Sequence, residues 1–136
     1  MTLVDAGPLI AMFHSSDADH QRCLVAAQDL DGPLIASWAV LGEAMHVLGR
    51  WQGWRGQRAL WTAVLDAAVE VRNLDPEDAP RAFELMRRYR DTPMDLGDAS
   101  LVVLGEKLGI DQVFTLDKHF RAYRLHGRRA FHVVPG

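Results

Sequence analysis

The chain alternates short β-rich runs with longer stretches of helical period. "TLV" predicts a first strand, and Pro8 suits the first turn of the helix after it, where its missing N–H costs nothing. In "DADHQRCLVAAQDL", His20, Cys23, Leu24, Ala27 and Leu30 recur at helical spacing. "DGP" reads as a turn and "PLIAS" as a short strand. Ser37 is placed to cap the helix "WAVLGEAMHVLGR", whose apolar face carries Val40, Leu41, Ala44, Val47 and Leu48. "WQGWRG" interrupts the pattern before a further helix, "QRALWTAVLDAA". "VEVRNL" alternates and is β-rich, which predicts a strand.

Asp75 is placed to cap a helix opening at Pro76 and running to about Tyr89. After "DTP" comes the helix "LGDASLVVLGEKLG", with Gly109 as its stop. "QVFTL" predicts a strand, "DKHFRAYRL" a short helix or turn, and "AFHVV" a last strand. Strands alternate with helices and no hairpin signal stands out. The expected class is therefore α/β, with a mainly parallel sheet and helices on both faces.

Length and composition set the limits. A chain of 136 residues fits one domain, 1–136, and 49% hydrophobic residues suffice for one core. The single cysteine, Cys23, excludes an internal disulfide, argues against a Cys-rich zinc module and is expected in the core. No apolar run is long enough to span a membrane and no basic n-region precedes the first apolar residues. No membrane partner is expected, and the expected location is the cytoplasm.

The chemistry lies in the acids. Sites in open parallel sheets form outside the carboxyl ends of the strands. Asp5 follows "TLV" and Asp117 follows "QVFTL", so both fall on that edge. Thr115, two residues before Asp117, is placed to bond a neighbouring carboxylate. Asp95 and Asp98 are three apart and share one helix face at or just before the first turn, where capping alone would also favour acids. Glu43 lies within an otherwise apolar helix, where a buried carboxylate is costly unless paired or metal-bound. Carboxylates converging without His or Cys partners suit a hard divalent cation, Mg²⁺ or Mn²⁺. Acidic metal sites of this kind serve phosphoryl chemistry.

Four blocks, "LVDAGPLIAMF", "SWAVLGEAMHVL", "MDLGDASLVVLGEKLG" and "VFTLDKHF", resemble in that order the signature blocks of PIN-domain ribonucleases, most closely the VapC toxins of bacterial toxin–antitoxin pairs. The resemblance spans about residues 2–134. It implies a three-layer α/β/α domain with about five mainly parallel strands. It also implies Mg²⁺- or Mn²⁺-dependent cleavage of single-stranded RNA by water, leaving a 5′-phosphate and a 3′-hydroxyl. Carried over by position, Asp5, Glu43, Asp98 and Asp117 match the four acids of the family. Asp95 matches an additional acid that many members carry, and Thr115 the hydroxyl residue before the last acid. A homodimer and a cognate antitoxin are the implied partners, besides RNA. "WQGWRGQRALW" carries no motif of the family.

A net charge of −3 does not by itself suggest a nucleic-acid partner. Without the five site acids the remainder carries +2. Two groups of cations are candidates for phosphates: Arg81, Arg87, Arg88 and Arg90, and then Lys118, Arg121, Arg124, Arg128 and Arg129. Solvated helix faces are the plain alternative for both. The six histidines lack metal-binding spacing. Trp38, Trp51, Trp54 and Trp61 suit core or dimer-interface positions, with the last three near a helical hairpin that is a candidate partner surface.

Rival classes fit less well. A phosphoacceptor domain would want an acidic pair before Asp5, and a dehalogenase-like phosphatase would want D-x-D, whereas Ala6 and Gly7 follow Asp5. A non-catalytic PIN-like binding module is disfavoured by the intact acids. A PIN nuclease of RNA processing, without an antitoxin, stays open.

Overall fold

The computed structural model describes residues 1–136. Its sheet strands are β1 (Thr2–Val4), β2 (Leu34–Ser37), β3 (Val69–Arg72), β4 (Gln112–Phe114) and β7 (His132–Val134). They lie in the order β3-β2-β1-β4-β7, every pairing parallel. Leu3 and Val4 of the central strand are wholly buried, as a parallel strand covered on both faces requires. From β1 the chain builds outward to β2 and β3 on one side, and to β4 and β7 on the other. The switch point therefore lies between β1 and β4, where the loops leaving the two strands diverge and open a crevice.

Six helices flank the sheet in an α/β/α arrangement: α1 (Ala6–Phe13), α2 (His20–Gln28), α3 (Trp38–Gln52), α4 (Trp54–Leu65), α5 (Ala79–Arg88) and α6 (Leu96–Leu108). α1 packs on α2 and α3, α3 on α4, and α5 on α6. A core of 30 buried hydrophobic residues, Cys23 among them, joins the layers. α6 is the most enclosed helix, buried continuously from Gly97 to Gly105. At Gly105 a Cβ would lie 2.8 Å from the Ile110 carbonyl oxygen and 3.2 Å from Leu3, so only glycine lets α6 sit this close to β1. No helix is long and apolar enough to cross a membrane.

Several boundaries differ from the sequence reading, each for a local reason. The break expected over "WQGWRG" narrows to Gly53, whose φ of 63° turns the chain between α3 and α4. The helix expected from Pro76 begins as a 3₁₀ turn, Pro76–Asp78, and becomes α-helical at Ala79. A hairpin is present where none was expected. β5 (Arg124–Leu125) and β6 (Arg129–Ala130) pair antiparallel. The Arg128 N–H donates to the Leu125 carbonyl at 3.1 Å, across His126 and Gly127 at φ 52° and 73°. Two left-handed residues in a row make the turn type that closes tight hairpins, with histidine standing where asparagine is usual. The expected strand "AFHVV" is accordingly split between β6 and β7. Trp38, Trp51 and Trp54 are exposed, and Trp61 is half-buried, so none belongs to the core.

Candidate active site

Three acids meet at the switch point. The carboxylates of Asp5, Asp98 and Asp117 offer oxygens that all lie within 4.8 Å of one another. Each is delivered by a helix start. Asp5 leaves the end of β1 and caps α1, with Oδ1 accepting from the Ala6 N–H at 2.9 Å, while its own N–H donates to the Phe114 carbonyl of β4. Asp95 caps α6 and forms a reciprocal box with Asp98: the Asp98 N–H donates to Asp95 Oδ1 at 2.8 Å, and the Asp95 N–H to Asp98 Oδ2 at 3.2 Å. Asp117 caps the 3₁₀ turn Lys118–Arg121 through the His119 N–H at 2.9 Å.

Thr115 ties two of them together. Its hydroxyl donates to Asp5 Oδ2 at 2.9 Å and accepts from the Asp117 N–H at 2.9 Å, in a site that is 2% exposed. Although β4 ends at Phe114, the Thr115 N–H continues the ladder to the Val134 carbonyl. Thr115 is thus held by the sheet and places both flanking acids.

The electrostatics follow from burial and like charge. Asp5 and Asp98 are 8% and 7% exposed, and no lysine or arginine pairs with either. Burial, followed by the neighbouring Asp5, pushes the Asp98 carboxyl up to about 8. Asp5 is raised by burial too, against hydrogen bonds from Thr115 and Ala6 that pull the other way. The Tyr123 hydroxyl lies 3.4 Å from Asp98 Oδ2 and also donates to the Pro93 carbonyl; burial and the Asp98 charge raise its pKa strongly. His119 Nδ1 lies 2.8 Å from Asp117 Oδ1.

Glu43 corrects one expectation: it is exposed rather than buried. It still borders the site. A Cβ at Gly97 would lie 3.3 Å from Asp95 Oδ1 and 3.7 Å from Glu43 Oε2, so both carboxylates lean over the first turn of α6. Partial desolvation of its carboxylate against the rim, then the charges of Asp95 and Asp5, raise the pKa of Glu43. Asp95 is exposed at the same rim. The closest triplet is therefore Asp5, Asp98 and Asp117, with Glu43 and Asp95 outside it.

The cations divide. Lys118 and Arg121 line a cavity beside Asp117 and Thr115, and neither has a carboxylate within ion-pair distance. Arg87 is held by Glu84 through Nε at 3.1 Å and Nη2 at 2.6 Å, and Arg88 lies over the Tyr89 ring at 5.8 Å. Neither α5 arginine lines that cavity. Three groups escaped the sequence reading: Tyr123, His119 as a partner of Asp117, and Arg22, a third cation of the cavity. Tyr123 stands 25 residues from its partner Asp98, and Arg22 reaches the cavity from α2, so neither carries a local signal; His119 stands only two residues from Asp117, without a spacing that marks it.

An all-oxygen cluster of three carboxylates with no protein cation to neutralise it fits a hard divalent cation. The acids at the switch point of a parallel sheet, each set by a helix start, define a PIN-type centre. The PIN-domain family profile matches residues 2–125, and the chain belongs to that family. Within it the chain is VapC-like. It is 26% identical over 137 residues to ribonuclease VapC26 of Mycobacterium tuberculosis, with 98% of this chain and 99% of that protein covered. Its fold is similar to the crystal structure of Mycobacterium tuberculosis VapC20, a sarcin-ricin loop cleaving toxin, with a TM-score of 0.81, 23% identity, and 90% and 95% of the two chains covered. It is also similar, at a TM-score of 0.64 and 11% identity over 97% of each chain, to a chain of the VapBC2 complex from Rickettsia felis bound to a promoter DNA fragment.

Proposed function

We propose that this chain is a Mg²⁺- or Mn²⁺-dependent endoribonuclease, the toxin of a toxin–antitoxin pair, working in the cytoplasm as a homodimer. The observation that carries the reading is the convergence of Asp5, Asp98 and Asp117 within 4.8 Å at the sheet's switch point, with no protein cation between them. Its likeness to VapC26 along nearly the whole of both chains supports RNA as the substrate.

Asp5, Asp98 and Asp117 would hold the cation, with Glu43 adding a fourth carboxylate from the rim and Asp95 fixing Asp98 through the capping box. Thr115 orients Asp5 and Asp117 together. When bound, the divalent cation supplies charge stabilisation for the phosphate and its leaving oxygen. In the reaction, a water oxygen bonds to phosphorus and the bond from phosphorus to the 3′-oxygen breaks. That oxygen takes up a proton, leaving a 3′-hydroxyl and a 5′-phosphate. Lys118 and Arg121 hold flanking phosphates. An antitoxin partner is supported by the similarity to the VapBC2 chain.

The test is cleavage of a panel of labelled RNAs by the purified chain with EDTA, Mg²⁺ or Mn²⁺, beside Asp5→Asn prepared identically. Cleavage that needs both metal and Asp5 is the expected result. Cleavage unaffected by EDTA, or by Asp5→Asn in a folded protein, would remove the acidic centre from the mechanism.

A further inference from the structure

Beside Asp117 the surface is concave and positively charged. Lys118 and Arg121, from the turn after Asp117, face Arg22 of α2 across a cavity of about 150 Å³ that also touches Thr115. Most other cations that approach a carboxylate in this chain are tightly held: Arg81 by Glu106, Arg129 by Asp111 and Lys107 by Asp75 and Asp78, all at 2.6–2.9 Å. Arg22 has only a loose contact with Asp19 at 3.7 Å, with both side chains largely exposed, an arrangement worth little in water. Three cations are thus free to meet an anion directly at the flank of a carboxylate centre.

The cavity does not end there. Arg22 and Pro135 also line a second, larger hollow of about 580 Å³ between α2 and the outer strand β7. From Arg22 this hollow follows α2 for about 9 Å to the helix end at Gln28, and Asp29 and Leu30 line it beyond. Its walls change character along the way. Val25, half exposed, Leu30 and Val134 give apolar surface, Gln21, Gln112 and His132 give hydrogen-bonding groups, and Asp29 is the acid at the far end. Cations beside the acids, followed by an apolar wall with scattered polar groups, match phosphates first and base faces afterwards.

We infer that Arg22, Lys118 and Arg121 form a phosphate-binding subsite adjoining the acidic centre, from which single-stranded RNA runs along the trough between α2 and β7. The inference rests on the ribonuclease reading above. It adds Arg22 to the substrate-binding residues and gives the strand a direction across the surface, away from the exposed tryptophans of α3 and α4.

The test compares KM for RNA cleavage with binding of fluorescent oligouridine in EDTA, using wild type and Arg22→Glu, Lys118→Glu, Arg121→Glu and Val25→Glu. Arg58→Glu, an exposed residue of α4 outside the trough, is the control. Each trough charge reversal is expected to raise KM and weaken binding roughly 5–30-fold. Each should also lower the salt dependence of binding by about 0.7 in log–log slope. Val25→Glu is expected to weaken binding of probes of about 16 nucleotides while leaving those of about 4 unchanged. Arg58→Glu should stay within twofold of wild type.

Equal losses in Arg58→Glu would mean overall charge alone acts, and would overturn the subsite. Wild-type KM in Arg22→Glu, Lys118→Glu and Arg121→Glu would overturn it too, assign the trough to another occupant such as a protein segment, and leave the ribonuclease reading standing. A wild type that neither binds nor cleaves any RNA would instead sink the ribonuclease reading, and the trough with it.

Discussion

Replacing Thr115 with valine keeps the shape of the side chain and removes one hydroxyl. That hydroxyl is 2% exposed and makes two hydrogen bonds, to the Asp5 carboxylate and from the Asp117 N–H, each 2.9 Å long. A bond to a charged acceptor is worth about 1.5–3 kcal/mol and a neutral one about 0.5–1.5 kcal/mol, so the loss is about 2–4 kcal/mol. For a domain of this length, each kcal/mol moves Tm by about 3–4 °C, which gives a fall of roughly 6–16 °C. The melt should be run in EDTA, so that lost metal affinity does not enter the number. Thr115→Ser keeps both hydrogen bonds and should fall by much less. A Thr115→Val protein melting within about 2 °C of wild type, with Thr115→Ser no more stable, would refute the tie between β1 and β4 on which the site geometry depends.

Asp98→Asn removes a carboxyl that burial and Asp5 push up to about 8. A raised folded pKa means the metal-free protein loses stability as pH rises from about 4 to about 8, so in EDTA at pH 8.5 this variant should melt at least about 5 °C above wild type and show a shallower slope, the raised Asp5 and Glu43 keeping part of it. Glu106 accepts from Arg81 at 3.0 and 2.7 Å and from the His126 N–H at 2.6 Å; burial raises its pKa, but these bonds bring it below the usual range. Its contribution should be present above about pH 4.5 and lost as pH falls through the lowered value, and Glu106→Gln should cost about 1.5–3 kcal/mol at pH 7 by denaturant titration, with the acid limb of the stability profile flattened. In the RNA cleavage assay Asp95→Asn should retain more activity than Asp98→Asn, because Asp95 sits at the exposed rim and Asp98 in the closest triplet; equal or reversed losses would mean the third acid is Asp95.

The parallel sheet was legible because its strands are short apolar runs separated by helices of clear period, and Asp5, Asp98 and Asp117 stood out as candidates because each stands at a strand end or helix start. The β5–β6 hairpin was not, since a His-Gly turn lacks the usual asparagine. Glu43 misled for a different reason. Its helix looks apolar all round, yet α3 begins at the rim of the sheet, where one face meets solvent beside Asp95. Arg22 was invisible because the role proposed for it depends on α2 facing β7 across a hollow, with residues more than 100 positions apart on its two sides. Tyr123 stands in "AYRL", part of a stretch that reads as a short helix or turn with no sign of core packing, while its ring packs edge-on against Phe120 and Tyr89 and is wholly buried.

The acids at the centre serve two physical purposes at once, and this decides how the site survives without a cation. Three close carboxylates repel one another, and burial adds to the cost. Yet Asp5, Asp95 and Asp117 each accept a backbone N–H at the start of a helix or 3₁₀ turn, and Asp98 lies in the first turn of α6. Helix starts favour negative charge and need acceptors for their free N–H groups. The same oxygens that suit a metal therefore stabilise the elements that carry them. It follows that the sign of a substitution depends on what is kept. Asn retains the capping acceptor and removes the charge, so Asp117→Asn should leave the metal-free protein as stable as wild type or more so. Asp117→Ala removes both the charge and the cap to the His119 N–H, and should be less stable than the Asn variant by about 0.5–2 kcal/mol. Thermal melts of the two variants in EDTA give the comparison, and an alanine variant at least as stable as the asparagine one would show that the cap to the His119 N–H contributes nothing to the metal-free site.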